Sequence, residues 1–144
     1  DGNSEIPYKE SDETNPQNAY GVTKLNGEKA LLEINPKNSI IIRTSWLYSE
    51  FGNNFVKIML KLSAEKESIT VVSDQIGSPT YAKDLALAIL QIIPAINSEG
   101  LQIYHYANKG QCSWFDFASA IMKIAQKNCE IWPIPSSAFK TEKP

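Results

Sequence analysis

Tyr20 and Lys24, with Gly21, Val22 and Thr23 between them, place a phenol and an ammonium four residues apart. On a helix that spacing puts both side chains on one face, one turn apart. A cation beside a phenol favours the phenolate, which brings a group that ordinarily titrates at about 10 toward neutrality. Such a phenol is a usable proton donor. A reductase needs one when hydride reaches a carbonyl carbon and the oxygen must be protonated. Among six tyrosines, however, one such pair arises easily by chance, and taken alone it reads as a solvated helix face. The neighbouring residues have to decide.

The elements that must position the pair follow from local signals. Residues 1–15 are polar and turn-rich. Asn15 then Pro16 has the form of an N-cap followed by proline at the first helical position, predicting a helix over about 16–34 that Asn35-Pro36 ends. Gly21 and Gly27 inside it each cost up to about 1 kcal/mol against alanine, which points either to close approach by another backbone or a ligand or to simple tolerance. The apolar, β-branched run 39–45 predicts a strand buried on both faces of a parallel sheet. Beyond it the pattern predicts a helix over 54–65, a strand over 69–73 and a loop over 74–80. A helix over 81–93 is stopped by Pro94, and a strand follows at 101–107. Ser113 with Asp116 caps a helix reaching about 127, before a last strand at 130–134. Strands alternating with helices indicate an α/β fold.

Composition narrows the class. The 144 residues are 42% hydrophobic and 21% charged, enough for one ordinary domain with a core. A net charge of −2 gives no basic field for nucleic acid or an anionic membrane. No apolar run approaches the roughly 20 residues of a membrane span. Cys112 and Cys129 are not spaced as a metal pair and read as free thiols of a reducing cytoplasm. Glycines 2, 21, 27, 52, 77, 100 and 110 are scattered. The glycine-rich turn that carries a dinucleotide pyrophosphate is therefore missing, and this piece would not bind such a cofactor unaided. An opening on Asp1 rather than Met and a close on Lys143-Pro144 read as a piece of a longer protein.

Several blocks carry a specific resemblance. Pro7-Tyr8-Lys9-Glu10-Ser11-Asp12, Asn15-Pro16 and Tyr20-Gly21-Val22-Thr23-Lys24-Leu25-Asn26-Gly27-Glu28 resemble the extended short-chain dehydrogenase/reductase superfamily. Arg43-Thr44-Ser45-Trp46-Leu47-Tyr48, Gly52-Asn53-Asn54-Phe55, Asp74 through Thr80 and Tyr104-His105 are similar to its dTDP-4-dehydrorhamnose reductases, in the same order. The likeness runs along essentially the whole chain and matches the C-terminal portion of such enzymes. It implies the C-terminal part of a Rossmann-like NAD(P)-binding domain over residues 1–48 and a small mixed α/β substrate-binding lobe, incomplete, over 49–144.

The implied reaction is hydride transfer from NADPH or NADH to the C4 keto carbon of a dTDP-linked 6-deoxy-4-keto-hexose, giving dTDP-L-rhamnose. By resemblance Tyr20 is the proton donor, and Lys24 bonds the nicotinamide ribose and acidifies Tyr20. Trp46 lines the sugar pocket, and Asn54, Gln75 and Thr80 contact the nucleotide sugar. The family's Ser or Thr beside the Tyr would come from an upstream segment, so this piece alone is expected to be inactive. Bland readings stand beside these. Trp46 would serve as a core or interface aromatic, and residues 75–80 as a turn built on Gly77 and Pro79. His105 reads as structural, and Trp114, Phe115 and Phe117 as packing. Glu10 and Asp12 are the acids a Mg²⁺ ion would use, against the ordinary reading of two solvated loop acids.

Expected partners are the dTDP-sugar, no nucleic acid and no membrane, with either a homodimer or self-association of the piece through the apolar strand at Ile40–Ile42. Two other readings stay open: a non-catalytic regulatory subunit of the same superfamily, and a reductase or epimerase of another nucleotide sugar.

Overall fold

In the computed structural model, which describes Ser4 and residues 6–139, Asn18 starts the first helix. Its side-chain oxygen accepts the Gly21 N–H at 2.7 Å, as an N-cap must. The turns expected over residues 1–3 and 5 and the close on Lys143-Pro144 lie outside the described residues. In chain order the elements are α1 (Ala19–Ile34), β1 (Ile40–Arg43), β2 (Leu47–Tyr48), α2 (Phe55–Glu65), β3 (Ser68–Val72), β4 (Ile76–Gly77) and β5 (Thr80–Tyr81). They continue with α3 (Ala82–Ile92), β6 (Gln102–His105), β7 (Cys112–Ser113), α4 (Trp114–Ile124) and β8 (Glu130–Ile134). Short 3-10 turns occupy Ile93–Ala95 and Ser136–Ala138.

These elements form two compact units that interleave along the chain. One comprises Asp1–Arg43 and Ala88–Tyr106, the other Thr44–Leu87 and Ala107–Pro144. The division thus differs from a single cut after residue 48. Strand β6, which lies far downstream, pairs in parallel with β1 and returns its segment to the first unit.

In the first unit, α1 begins at residue 19 rather than 16, because Asn18 and not Asn15 supplies the cap. Pro16 instead packs on Gly21, where an added Cβ would lie 2.8 Å from the proline Cβ. The close neighbours of Gly21 are thus the Pro16 ring and the Asn18 side chain of the adjoining segment, rather than a ligand or a distant backbone. Gly27 has nothing within 4 Å. The helix ends at Asn35, whose left-handed backbone (φ 45°) returns its N–H to the Leu31 carbonyl. In the β1–β6 pair Ile40 lies opposite Gln102 and Arg43 opposite His105. All four β1 residues are half-buried, whereas the apolar run predicted burial on both faces. The reason is the sparse cover of this unit. Among the described residues β6 is the one strand beside β1, and Leu101 is the one buried side chain.

The second unit holds the core. Strands β3 and β8 pair in parallel from Ser68–Glu130 to Val72–Ile134. Helices α2 and α4 contribute Met59, Ala118, Ile121 and Met122, which close with Ile69, Val71 and Cys129 into one buried cluster. Trp114, Phe115 and Phe117 pack against it, as expected. Pro133 lacks an N–H for the ladder, which suits β8 to a sheet edge. Two N-caps set the helix starts. Asn54 accepts the Lys57 N–H, and Ser113 and Asp116 form a reciprocal capping box ahead of α4. The two-residue strands pair as β2 with β5, in parallel, and β4 with β7, antiparallel. They are too short to leave a period in the residue pattern. Both cysteines are free. No helix among the described residues is long and apolar enough to cross a membrane.

Two measurements test this account. Gly27→Ala meets no atom and removes glycine's excess freedom within a helix, so it should stabilise the chain by about 0.5–1 kcal/mol in denaturant titration. The second concerns Asp116, held below the ordinary carboxylate range by the Ser113 hydroxyl and then by the Ser113 N–H. A lowered folded-state value contributes stability that is present above the unfolded carboxylate value and is lost as the pH falls through the folded one. Asp116→Asn should flatten the acid limb of the Tm–pH curve while leaving the neutral limb's slope unchanged.

Candidate active site

Helical spacing does bring Lys24 beside Tyr20: Nζ lies 5.6 Å from the ring centroid. Tyr20 is 72% exposed. Among the described residues neither its hydroxyl nor Lys24 Nζ has a hydrogen-bond or ion-pair partner. Among the described residues the two polar tips are therefore uncommitted. What holds their helix lies two turns further on. Arg43, at the end of β1, donates from Nε to Glu28 Oε1 at 2.9 Å and from Nη2 to Oε2 at 2.6 Å. This planar, two-point bond raises the guanidinium above its ordinary value.

On the far side of Arg43, Nη1 lies 3.4 Å from His105 Nε2. A guanidinium only donates, so Nε2 accepts and the ring proton sits on Nδ1, which faces the Tyr8 carbonyl at 3.2 Å. The His105 N–H donates to Glu10 at 2.7 Å, and this bond is the main reason the Glu10 carboxyl sits below its ordinary value. His105 thus ties β6 to the N-terminal segment, the structural role expected of it. Arg43 and Glu28 were not singled out from sequence. A cation closing an isoleucine run and an acid one turn past Lys24 were the available signals.

In the second unit Trp46 carries a left-handed backbone, φ 46°, which a bulky residue adopts only under constraint. The constraint is visible. Its indole stacks on Trp114 with centroids 3.5 Å apart and planes 12° from parallel. A Cβ at Gly77 would collide with the same indole. Its carbonyl accepts the Thr80 N–H at 3.1 Å. Phe55 tilts against Trp114 at 4.6 Å, extending the aromatic group. One indole face of Trp46 is therefore taken by Trp114, and Gly77 lies against the indole at Cε2, Cζ2 and Nε1. Sequence reasoning assigned Trp114 to packing alone, since no local pattern links it to a residue 68 positions earlier.

The remaining expected contacts have internal bonds. Asn54 caps α2 through Oδ1 and donates from Nδ2 to the Ser49 carbonyl at 2.7 Å. Gln75 is exposed and donates to Ser136 Oγ at 2.9 Å. Beside it Asp74 accepts the Ser136 hydroxyl and N–H, which hold its carboxyl below the ordinary range. Thr80 is fully buried, and Ser78 Oγ donates to the Gly110 carbonyl at 2.7 Å. As for Mg²⁺, no group of three or more His, Cys, Asp or Glu able to hold a metal ion occurs among the described residues. Asp12 accepts the Lys9 N–H and Glu10 the His105 N–H, so both acids serve backbone donors. Among the described residues Glu10 and Asp12 therefore do not form a Mg²⁺ site.

Comparison with known proteins adds a family. Residues 1–144 match the family described as "RmlD substrate binding domain". The chain is 43% identical to the spore coat polysaccharide biosynthesis protein SpsK of Bacillus subtilis, over 99% of this chain and 49% of that protein. It is 42% identical to the dTDP-4-dehydrorhamnose reductase of Aggregatibacter actinomycetemcomitans, over 100% of this chain and 50% of that enzyme. Among solved structures, the Bacillus anthracis dTDP-4-dehydrorhamnose reductase in complex with NADP superposes with a TM-score of 0.84 at 44% identity, covering 90% of this chain and 45% of that one. The chain spans about half the length of the curated relatives it matches.

The aromatic arrangement has a direct test. Gly77→Ala should drive the Trp46 indole off its stack, shift the tryptophan emission and cost about 1–3 kcal/mol. Gly52→Ala, at an open site of positive φ, should cost stability without moving the emission.

Proposed function

Because the chain belongs to the RmlD substrate binding domain family, we propose that it is the substrate-side portion, with the Tyr–Lys helix, of an NADPH-dependent dTDP-4-dehydrorhamnose reductase. The observation that carries this reading is the exposed Tyr20 phenol with Lys24 Nζ above its ring, in a chain whose relatives bear that name at 42% and 44% identity. The substrate is the 4-keto form of dTDP-linked 6-deoxy-L-mannose and the product dTDP-L-rhamnose.

Tyr20 donates its hydroxyl proton to the C4 oxygen as that oxygen gains charge. Lys24 favours the resulting phenolate and bonds the ribose of the nicotinamide nucleotide. The bound cofactor supplies the hydride. That a relative binds NADP supports NADPH over NADH. The exposed, uncommitted Tyr20 and Lys24 suit the nicotinamide end of that molecule. The described residues hold no glycine-rich strand-to-helix turn for its pyrophosphate, so that turn and the Ser or Thr beside Tyr20 are assigned to an upstream half. The open edge of β1 is where a further parallel strand would join, from that half or from a second copy.

Trp46 offers the part of its indole that Trp114 and Gly77 leave uncovered to the apolar side of the deoxysugar, and Gln75 an amide to its nucleotide. Asn54 and Thr80 act from within, by shaping the loops that carry Trp46 and Gln75. The free thiols support a reducing cytoplasm as the compartment.

The complete protein, supplied with dTDP-4-dehydrorhamnose, should oxidise NADPH, and the absence of turnover would leave the regulatory-subunit reading. Tyr20→Phe should lower kcat by about 10²- to 10⁴-fold with NADPH affinity nearly unchanged. Lys24→Met should lower kcat and weaken NADPH together. Full activity of Tyr20→Phe would refute the proton-donor role.

A further inference from the structure

No residue of α1 is buried and only Gly21, Leu25 and Glu28 are half-buried, so apolar packing sets the helix's rotation about its own axis only weakly. Two polar ties do the holding instead. At the C-terminal end the Asn35 side chain accepts the Leu101 N–H at 2.9 Å. Along the helix Glu28 receives the two bonds from Arg43. Among the described residues Glu28 is the only α1 side chain that hydrogen-bonds outside the helix. Tyr20, Lys24 and Glu28 follow at four-residue steps, each turned by about 40° from the last, so the gripped acid and the two chemical groups share one side of the helix. Arg43 is itself pinned by its strand register opposite His105 and by the His105 ring.

We propose that Arg43 is a positioning residue, setting through Glu28 the rotation of α1 and hence the direction in which Tyr20 and Lys24 meet the nicotinamide nucleotide. The inference rests on the roles given to Tyr20 and Lys24 above. Its physical content is the fork. A guanidinium bonds both carboxylate oxygens in one plane and resists twisting of the helix. A lysine at the same place is a point charge that leaves the carboxylate free to swing.

The test uses Arg43→Lys and Glu28→Gln in the complete protein. NADPH binding is read from nicotinamide fluorescence without sugar nucleotide, alongside kcat, KM and Tm. Both variants should bind NADPH more weakly and lose kcat by roughly 10- to 100-fold, while KM for the sugar nucleotide stays within about twofold. Exchanging the partners, Glu28→Arg with Arg43→Glu, restores the fork in reverse and should recover most of both losses. Lys37→Ala, which removes the ion pair to Glu99 at a site with both side chains open to solvent, should change none of these.

Parent-like NADPH binding and kcat in folded Arg43→Lys would overturn the proposal. So would losses that track Tm alone, or that the exchange fails to repair. If Arg43→Lys does not fold, Glu28→Gln decides by the same readings. Because NADPH is measured without sugar, a wrong substrate assignment leaves this result standing. A fully active Tyr20→Phe would remove the proton-donor role and not the Arg43 effect on NADPH.

Discussion

The ion pair between Arg43 and Glu28 is the contact on which the first unit's geometry turns. Only 24% of the Arg43 side chain and 18% of the Glu28 side chain is exposed. Lys37 and Glu99 present the same charges in the same unit with 69% and 90% exposed, where water screens them and orientation is loose. The sheltered pair costs more to desolvate, and its return is directional more than it is energetic. In a unit with one buried apolar side chain among its described residues, direction has to come from such bonds. Tyr20 and Lys24 stand on a helix aimed by a fork of hydrogen bonds.

The second unit works in the opposite regime. There the close-packed cluster of Met59, Ile69, Val71, Ala118, Ile121, Met122 and Cys129 fixes β3, β8, α2 and α4, and packing at that density leaves side chains little freedom. Against this firm base Trp46 is held in a backbone conformation it would not choose, between the Trp114 ring and the glycine at 77. Stacking and exclusion offset the local cost of positive φ. A residue expected to face a ligand is thus also an internal wall, and Trp114 shares its work.

Capping and spacing signals were legible where they act within a few residues. The span of α2, the Ser113–Asp116 box before α4 and the end of α3 short of Pro94 stand within a residue of where the residue pattern put them, whereas the cap at Asn54 emerges only in the fold. The start of α1 lies three residues later than the pattern put it, because Pro16 makes Asn15 the stronger local cap signal. In the fold Asn18 takes the cap by accepting the Gly21 N–H, with Pro16 packed on Gly21. The burial expected for Ile40–Ile42 was not found, since an apolar run reports what a strand tolerates and not what covers it.

By itself the residue order determined the α/β alternation, the proximity of Tyr20 and Lys24, and the lack of a glycine-rich phosphate turn, because each depends on neighbours one helical turn apart or less. The tertiary structure alone decided that Arg43 would meet Glu28 and His105, that β6 would return to β1, and that Trp114 would back Trp46. Those contacts join residues 15, 62 and 68 positions apart. Distance of that order erases any periodic trace, so chain closure and packing had to choose the partners.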